Sequence, residues 1–325
     1  MPILDSITPP LLYLTQKIER PILSFHIAVG NALLEQGKTV VQVITDPHVR
    51  YDYLKHVENP DLFYCVFDQA TKDELLEKAH LAEKTIDAKR VIVTGPPVDP
   101  RILACRVKKQ PWRSGPLKLC LTTGGLGTNK PEILEILEKL LPQLRKKNEN
   151  LRLLIYAGTQ KDIALAVKKM AKEARVTVAP LKDKTAKLRL IYHPQIVDAN
   201  ELLIKYGFPW AHGFVTKPSG DMAYDAATSG SFLLTLKEWG EWEEVIRQRF
   251  EEQGIARKAI PEDFVAQLQS LQTAQNNTSS FIERAMLNTH QLPAFYFHGA
   301  EKIIQAFNQI EKTKTKHRFV KFGDD

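Results

Sequence analysis

Three short stretches of the chain combine residue types that can do chemistry. The first is Ile44-Thr-Asp-Pro-His48. Histidine titrates nearest neutrality, so His48 can serve as a general base, with Asp46 either orienting it or acting as the base itself. The same residues also read as an Asp-Pro turn carrying a surface histidine. The second stretch is Leu121-Thr-Thr-Gly-Gly-Leu-Gly-Thr-Asn-Lys-Pro131, in which Gly124, Gly125 and Gly127 permit a tight backbone and close approach of a ligand. Thr128 or Asn129 can cap a helix that has Pro131 in its first turn, leaving free N–H groups for an anion. This is neither the GxGxxG pattern nor a phosphate loop ending in Gly-Lys-Ser/Thr. The third stretch runs from Phe214 to Gly230. Lys217-Pro-Ser-Gly220 turns into a helix near Asp221, so Ser219 and Gly220 can offer backbone N–H groups to a phosphate while Lys217 adds charge. One turn later Asp225 can accept hydrogen bonds from two adjacent hydroxyls, and Gly230 closes the helix.

These stretches need a scaffold, and the hydrophobic pattern supplies one. Beyond residue 20, helical periodicity alternates with short β-branched runs, as in βαβ units around a parallel sheet. Residues 22–36 read as a helix ending at Gly37. The runs 39–45, 61–67 and 90–94 read as strands, with a helix over 71–82. Five prolines between 95 and 116 read as an interdomain connection. A second series follows: strand 117–121, an amphipathic helix from Pro131, strand 151–156, helix 161–174, short strands at 176–179 and 188–192, strand 212–216, helix 221–229 and strand 231–236. The remainder reads as helices, Ala300–Ile310 being the clearest. The glycine loop and the 217–221 turn both lie at strand-to-helix junctions, where open α/β sheets bind ligands.

Composition bounds the possibilities. The chain has 325 residues, 43% hydrophobic and 26% charged, enough for two globular α/β domains. The net charge of +7 suits an anionic partner such as a phosphorylated substrate or an anionic membrane face. Nucleic-acid binding is not expected, because no recognition motif accompanies the charge. The three cysteines, Cys65, Cys105 and Cys120, form no CxxC pair and read as reduced thiols of a cytoplasmic protein. No run approaches the roughly 20 apolar residues of a membrane span, so any membrane contact is expected to be peripheral. There is no DxD, HExxH or Cys/His cluster, so neither a metal nor a cofactor is expected.

The pattern over Phe214–Leu234 resembles that of the family 28 glycosyltransferases. Thr122-Thr-Gly-Gly-Leu-Gly127 resembles the first loop of their C-terminal domain, and Val93-Thr-Gly-Pro-Pro-Val98 their domain junction. Ile44–His48 with Tyr53 resembles an element of the diacylglycerol glycosyltransferases. The order agrees across residues 40–255. The resemblance implies a GT-B fold of two Rossmann-like domains with parallel sheets. Residues 1–112 would form a partial acceptor-side domain, 113–290 the UDP-sugar-binding domain, and 291–325 a C-terminal helix and tail. It places Gly124 and Gly125 near the donor phosphates or sugar and the backbone of Gln195, Ile196 and Val197 at the uracil. Lys217, Ser219, Gly220 and Asp221 would lie at the diphosphate, Asp225 at the ribose, and Glu241 and Trp242 near the donor sugar. Tyr53, Trp239 and Trp242 are candidates to stack on a sugar.

Three departures accompany the resemblance. Asp221 stands where a threonine is usual, Asp225 replaces a longer glutamate, and the family's strand and glycine-rich loop before Thr39-Val-Val are not evident. The expected activity is inverting hexosyl or N-acetylhexosaminyl transfer from a UDP-sugar to a lipid-linked, polyprenyl-linked or other membrane-proximal hydroxyl. A second chain that completes the N-terminal domain is an expected partner. A donor-binding scaffold without turnover and a sugar-nucleotide epimerase of the same fold are the alternatives.

Overall fold

The computed structural model describes residues 2–124, 127–146, 150–274 and 279–321. The chain divides into two compact units at Val98/Asp99 and at Pro293/Ala294, and the first unit takes both ends of the chain. The first of these boundaries falls inside the Pro-rich stretch, between Pro97 and Pro100, upstream of 112/113. The C-terminal helix also belongs to the first unit rather than standing as a separate tail.

In the first unit a helix α1 (Pro2–Thr15) precedes β1 (Ile22–Ser24), α2 (Ile27–Glu35), β2 (Val40–Val43), β3 (Leu62–Val66), α3 (Gln69–Leu81) and β4 (Val91–Val93). The strands form a parallel sheet in the order β1-β2-β3-β4. Alternation along the strands feeds two cores. Val40, Leu62 and Tyr64 pack with Leu33 of α2 and Leu75 of α3. The opposite-facing Val41, Val43 and Cys65 meet Ile303, Ala306 and Ile310 of the C-terminal helix Gly299–Lys321. A parallel sheet must be covered on both faces, and this helix supplies the second cover with a stripe at i, i+3 and i+7. Lys314 Nζ to Asp61 Oδ1 at 2.7 Å and an Arg20–Glu311 ion pair fix its outer end. Gly95 has φ +96°, and a Cβ on it would strike the Phe295 carbonyl; one on Gly299 would strike that of Pro96.

Two expectations change here. The single helix over 22–36 is a short strand and then a helix: Ile22 pairs with Val40, and Ser24 Oγ donates to the His26 carbonyl at 2.9 Å, turning the chain between them. A strand therefore does precede Thr39-Val-Val, although the loop after it is Phe25-His26 and not glycine-rich.

The second unit opens with α4 (Pro100–Lys108), inside the stretch expected to be a connection. Asp99 caps it, accepting from Arg101 N–H at 2.7 Å, and Pro100 sits in its first turn, so the local signals favour a helix. There follow β5 (Leu117–Thr122), α5 (Lys130–Gln143), β6 (Leu151–Tyr156), α6 (Lys161–Glu173), β7 (Val178–Ala179), β8 (Leu188–Ile191) and α7 (Ile196–Tyr206). The chain continues through β9 (Gly213–Thr216), α8 (Met222–Thr228), β10 (Phe232–Thr235), α9 (Glu241–Glu252), β11 (Ala256–Lys258), α10 (Phe264–Gln272) and α11 (Phe281–Thr289). Seven parallel strands lie in the order β11-β10-β9-β5-β6-β8-β7. Ile133, Ile136, Leu137, Leu140 and Leu141 of α5 and Ile163, Val167 and Ala171 of α6 close one face of this sheet.

Candidate functional site

The strand order of the second unit fixes where a ligand belongs. The chain lays β6 and β8 to one side of β5, then returns to place β9 and β10 on the other. The loops after β5 and β9 therefore flank a topological switch point at the carboxyl ends of the strands, the place where open α/β sheets bind ligands.

Residues from both loops meet there. A Cβ on Gly124 would lie 3.5 Å from Lys217 Cε, an ordinary van der Waals distance, so the glycine loop runs beside the lysine turn. Gly125 lies outside the described residues. Asn129 does not cap α5 with its side chain. Its Nδ2 donates instead to Glu132 Oε2 at 2.5 Å and to the Lys237 carbonyl at 3.2 Å, tying the glycine loop to the loop after β10.

Lys217 pairs with Glu243, whose side chain is only 1% exposed and whose Oε2 accepts from Trp239 N–H at 2.8 Å. Glu243 escapes a reading that follows Glu241 and Trp242, yet the pattern marks it: Glu243, Ile246 and Phe250 recur at i, i+3 and i+7 and form the buried face of α9. Glu241 is exposed, and Trp242 folds back over Gly240. Glu243 reaches the crevice side through its contact with Lys217.

At the start of α8, Asp221 Oδ1 accepts from Met222 N–H at 2.6 Å and from Ser219 Oγ, and Ser219 N–H donates to the Lys217 carbonyl at 2.8 Å. Asp221 thus caps its own helix with the negative charge that an incoming anion would otherwise provide. One turn on, Asp225 is half-buried, and its carboxylate has no hydrogen-bond partner among the described residues. Burial first, then the Asp221 and Asp99 carboxylates, hold its pKa well above the ordinary range. Across the crevice, Tyr156 at the end of β6 donates to Asn200 Oδ1 at 2.5 Å; burial above all, then Cys120 and Asp221, push its pKa to about 12. Gln195 precedes α7 and donates its N–H to His193 Nδ1 at 3.2 Å. Ile196 and Val197 form the exposed first turn of α7, not a loop, and helix geometry leaves first-turn N–H groups without intrahelical acceptors.

In the first unit, His48 follows the carboxyl end of β2. Its Nδ1 lies 3.0 Å from Glu74 Oε1 of α3, so Glu74 is a carboxylate placed to orient it. Glu74 also takes Lys78 Nζ at 2.7 Å and Val49 N–H at 3.1 Å. Periodicity alone hides Glu74, because it reaches His48 across 26 residues. Tyr53 is 5% exposed within the core and so is unavailable for stacking, whereas Trp239 is 63% exposed. Among the described residues no helix is long and apolar enough to cross a membrane, and no three His, Cys, Asp or Glu side chains are grouped as metal ligands would be.

The architecture is that of the GT-B class: two α/β units with parallel sheets of four and seven strands. Solved structures agree. The UDP-GlcNAc 2-epimerase of Neisseria meningitidis bound to UDP-GlcNAc superposes with TM-score 0.59 at 13% identity, over 97% of this chain and 81% of that one. Os79 from O. sativa in complex with UDP gives 0.57 at 10% identity, over 95% and 81%. MurG of Acinetobacter baumannii gives 0.53 at 14% identity, over 93% and 78%. No family model matches the sequence, and no curated protein does. At these identities the likeness establishes the fold.

Proposed function

We propose that the chain binds a UDP-sugar at the switch-point crevice of its second unit and transfers the sugar to a hydroxyl acceptor. The observation that carries this reading is Asp225: a half-buried carboxylate with no hydrogen-bond partner among the described residues, one turn into the helix that follows the Lys217 turn, is in want of hydroxyl donors. Two ribose hydroxyls meet that want. Gly124 and Gly125 then border the phosphates and sugar, and Lys217, Ser219, Gly220 and Asp221 the diphosphate. The backbone of Gln195, Ile196 and Val197 faces the uracil, and Glu241 and Trp242 lie toward the donor sugar. The described neighbours that carry UDP or UDP-GlcNAc are consistent with this ligand class.

In the transfer, His48, held by Glu74, takes the proton of the acceptor hydroxyl. The oxygen attacks the anomeric carbon, and the bond to UDP breaks with its electron pair leaving on the diphosphate. The sugar is inverted, and no metal takes part. The acceptor we assign is a lipid-linked or polyprenyl-linked hydroxyl, reached by a cytoplasmic chain lying peripherally on an anionic membrane surface, with a second chain as partner. A second reading, donor binding without turnover, is favoured by Asp221, whose carboxylate already occupies the turn where a diphosphate would lie. Calorimetry with UDP tests the shared half of both: saturable heat is expected, and silence at about 1 mM ligand sinks both. Release of free sugar or transfer product from a UDP-sugar then separates them.

A further inference from the structure

Lys237, Glu238 and Trp239, in the loop that leads to Glu243, line a second depression of the same unit. Two adjoining cavities of about 660 and 350 Å³ share Glu238 and Lys258 and form one groove along the end of the edge strand β11. Trp239 stands at one end of the groove. Its backbone N–H is anchored to Glu243, and the residue is 63% exposed. A large aromatic residue on an anchored backbone and left in water is the uncommon observation, since scattered small apolar groups at a surface need no explanation.

The polar walls are ordered. Arg247 pairs with Glu238, meets Glu251 Oε2 at 2.5 Å and Glu244 Oε1 at 3.5 Å, and is itself only 16% exposed; Lys258 Nζ reaches Glu238 Oε2 at 3.2 Å. Carboxylates only accept hydrogen bonds, and guanidinium and ammonium groups only donate them. A wall alternating the two therefore suits a ligand whose groups both donate and accept, which describes a hydroxyl. The signs nearly balance, so neither a polyanion nor a polycation gains from the groove as a whole. Because the charged side chains already restrain one another, less rotamer entropy is lost when a ligand engages them.

The geometry points to a saccharide-binding groove on the second unit, taking a neutral oligosaccharide with one ring stacked on Trp239 and its hydroxyls bonded along the Glu238–Arg247–Lys258 wall. The groove is distinct from the UDP crevice: Gly124, Lys217, Ser219, Asp221 and Asp225 are not among its lining. Only Glu132 and Lys237, which join the glycine loop to the loop after β10, stand at the border between them. The assignment does not rest on glycosyl transfer or on donor binding.

Tryptophan fluorescence reads this site. Trp112 and Trp210 are buried and Trp242 is half-buried, so acrylamide reaches Trp239 first. Maltotetraose and chitotetraose are titrated into the full chain with and without saturating UDP. Saturable protection of Trp239 is expected for at least one of them, with a Kd on the order of 1 mM that UDP leaves unchanged. Trp239→Ala, checked for an unaltered melting curve, is expected to abolish the saturation-transfer NMR signal of the saccharide, and Trp239→Phe to retain part of it. Three results overturn the proposal: no saturable protection at about 10 mM of either sugar, undiminished binding by Trp239→Ala, or a response confined to a sulphated saccharide. Displacement of the saccharide by UDP places it in the crevice and overturns it as well. Failure of UDP to bind leaves the saccharide result standing, so the two readings fail separately.

Discussion

The carboxyl ends of the two sheets carry the same kinds of residue in opposite states of satisfaction. In the first unit, His48 is held by Glu74, and Glu74 is held in turn by Lys78 and the Val49 amide. In the second, Asp225 has no hydrogen-bond partner among the described residues, while Lys217 and Glu243 form an ion pair and Gly124 lies next to the lysine. A group whose hydrogen bonds are already made is held in a fixed orientation. A group whose bonds are unmade has capacity left for a ligand. The contrast is the basis for proposing ligand capture by the second unit and an oriented titratable side chain in the first.

The most direct way to break this contrast is to remove the acid of the buried pair. Glu243→Leu leaves Lys217 facing a low-dielectric wall without its counter-charge, and losing one partner of a buried pair costs about 3–5 kcal/mol. Lys217 is 20% exposed and regains part of its hydration, so a loss of about 2–3 kcal/mol in urea denaturation is expected. The double substitution Lys217→Met with Glu243→Leu should recover most of it. A loss below about 0.5 kcal/mol would mean that the pair is no more than a surface contact.

Asp225 offers the sharper comparison, because stability and binding should move in opposite directions. Asp225→Asn removes a carboxylate whose ionised form is disfavoured by burial and by Asp221, so the folded chain should gain stability at neutral pH. It also removes the acceptor-only group proposed to hold two hydroxyls, so UDP affinity in calorimetry should fall about tenfold, or about 1.4 kcal/mol. Ligand binding that ionises Asp225 must also release protons, detectable as a buffer-dependent binding heat that the variant lacks. Equal affinity in wild type and variant would remove Asp225 from the site.

How far the sequence carries this picture depends on the range of the interactions. Strands β2, β3, β5 and β6 are legible because each is a predominantly apolar, largely buried run. Strand β11 is not: Ala256-Arg-Lys258 is an edge strand with two exposed cations, and only its pairing with β10 makes it a strand. Helix α4 hides among prolines although Asp99-Pro100 is a sound helix start. The cover that residues 299–310 give the first sheet is a contact between chain ends that no local pattern announces. The same division holds for the site. Lys217 and Asp225 stand out as candidates because a strand–turn–helix motif puts both at the carboxyl end of β9, a local pattern. Glu74 and Glu243 acquire theirs from partners 26 residues away, so neither stands out until the fold brings the partner to it.

A smaller change tests the first unit's half of the contrast. Glu74→Gln keeps an acceptor for the Val49 amide and removes only the charge facing His48 and Lys78, so the fold should lose about 1 kcal/mol or less. The informative reading is the imidazole itself. In ¹H–¹⁵N NMR at fixed pH the His48 ring resonances should move, because Nδ1 loses the charged partner that lies 3.0 Å away. Unmoved ring resonances would show that the contact is not maintained in solution.

The last comparison is silent at neutral pH and grows only in acid. His212 is held neutral in the folded chain, its pKa lowered to about 3 by burial first and then by Lys118 and Lys109, while its Nδ1 accepts the Lys118 N–H at 3.2 Å. The unfolded chain binds a proton at this ring below about pH 6.5, and the folded chain does not until about pH 3. Stability from this group is therefore fully present above pH 6.5 and is lost progressively as pH falls from there toward 3. His212→Asn keeps an acceptor near the Nδ1 position and cannot titrate. Its stability profile between pH 7 and 4 should consequently be flatter than that of the wild type, whatever constant offset the smaller side chain introduces. Because His212 lies in the second unit, acid should loosen that unit through this residue. Parallel profiles for variant and wild type would mean that the ring is protonated, and therefore hydrated, in the native chain.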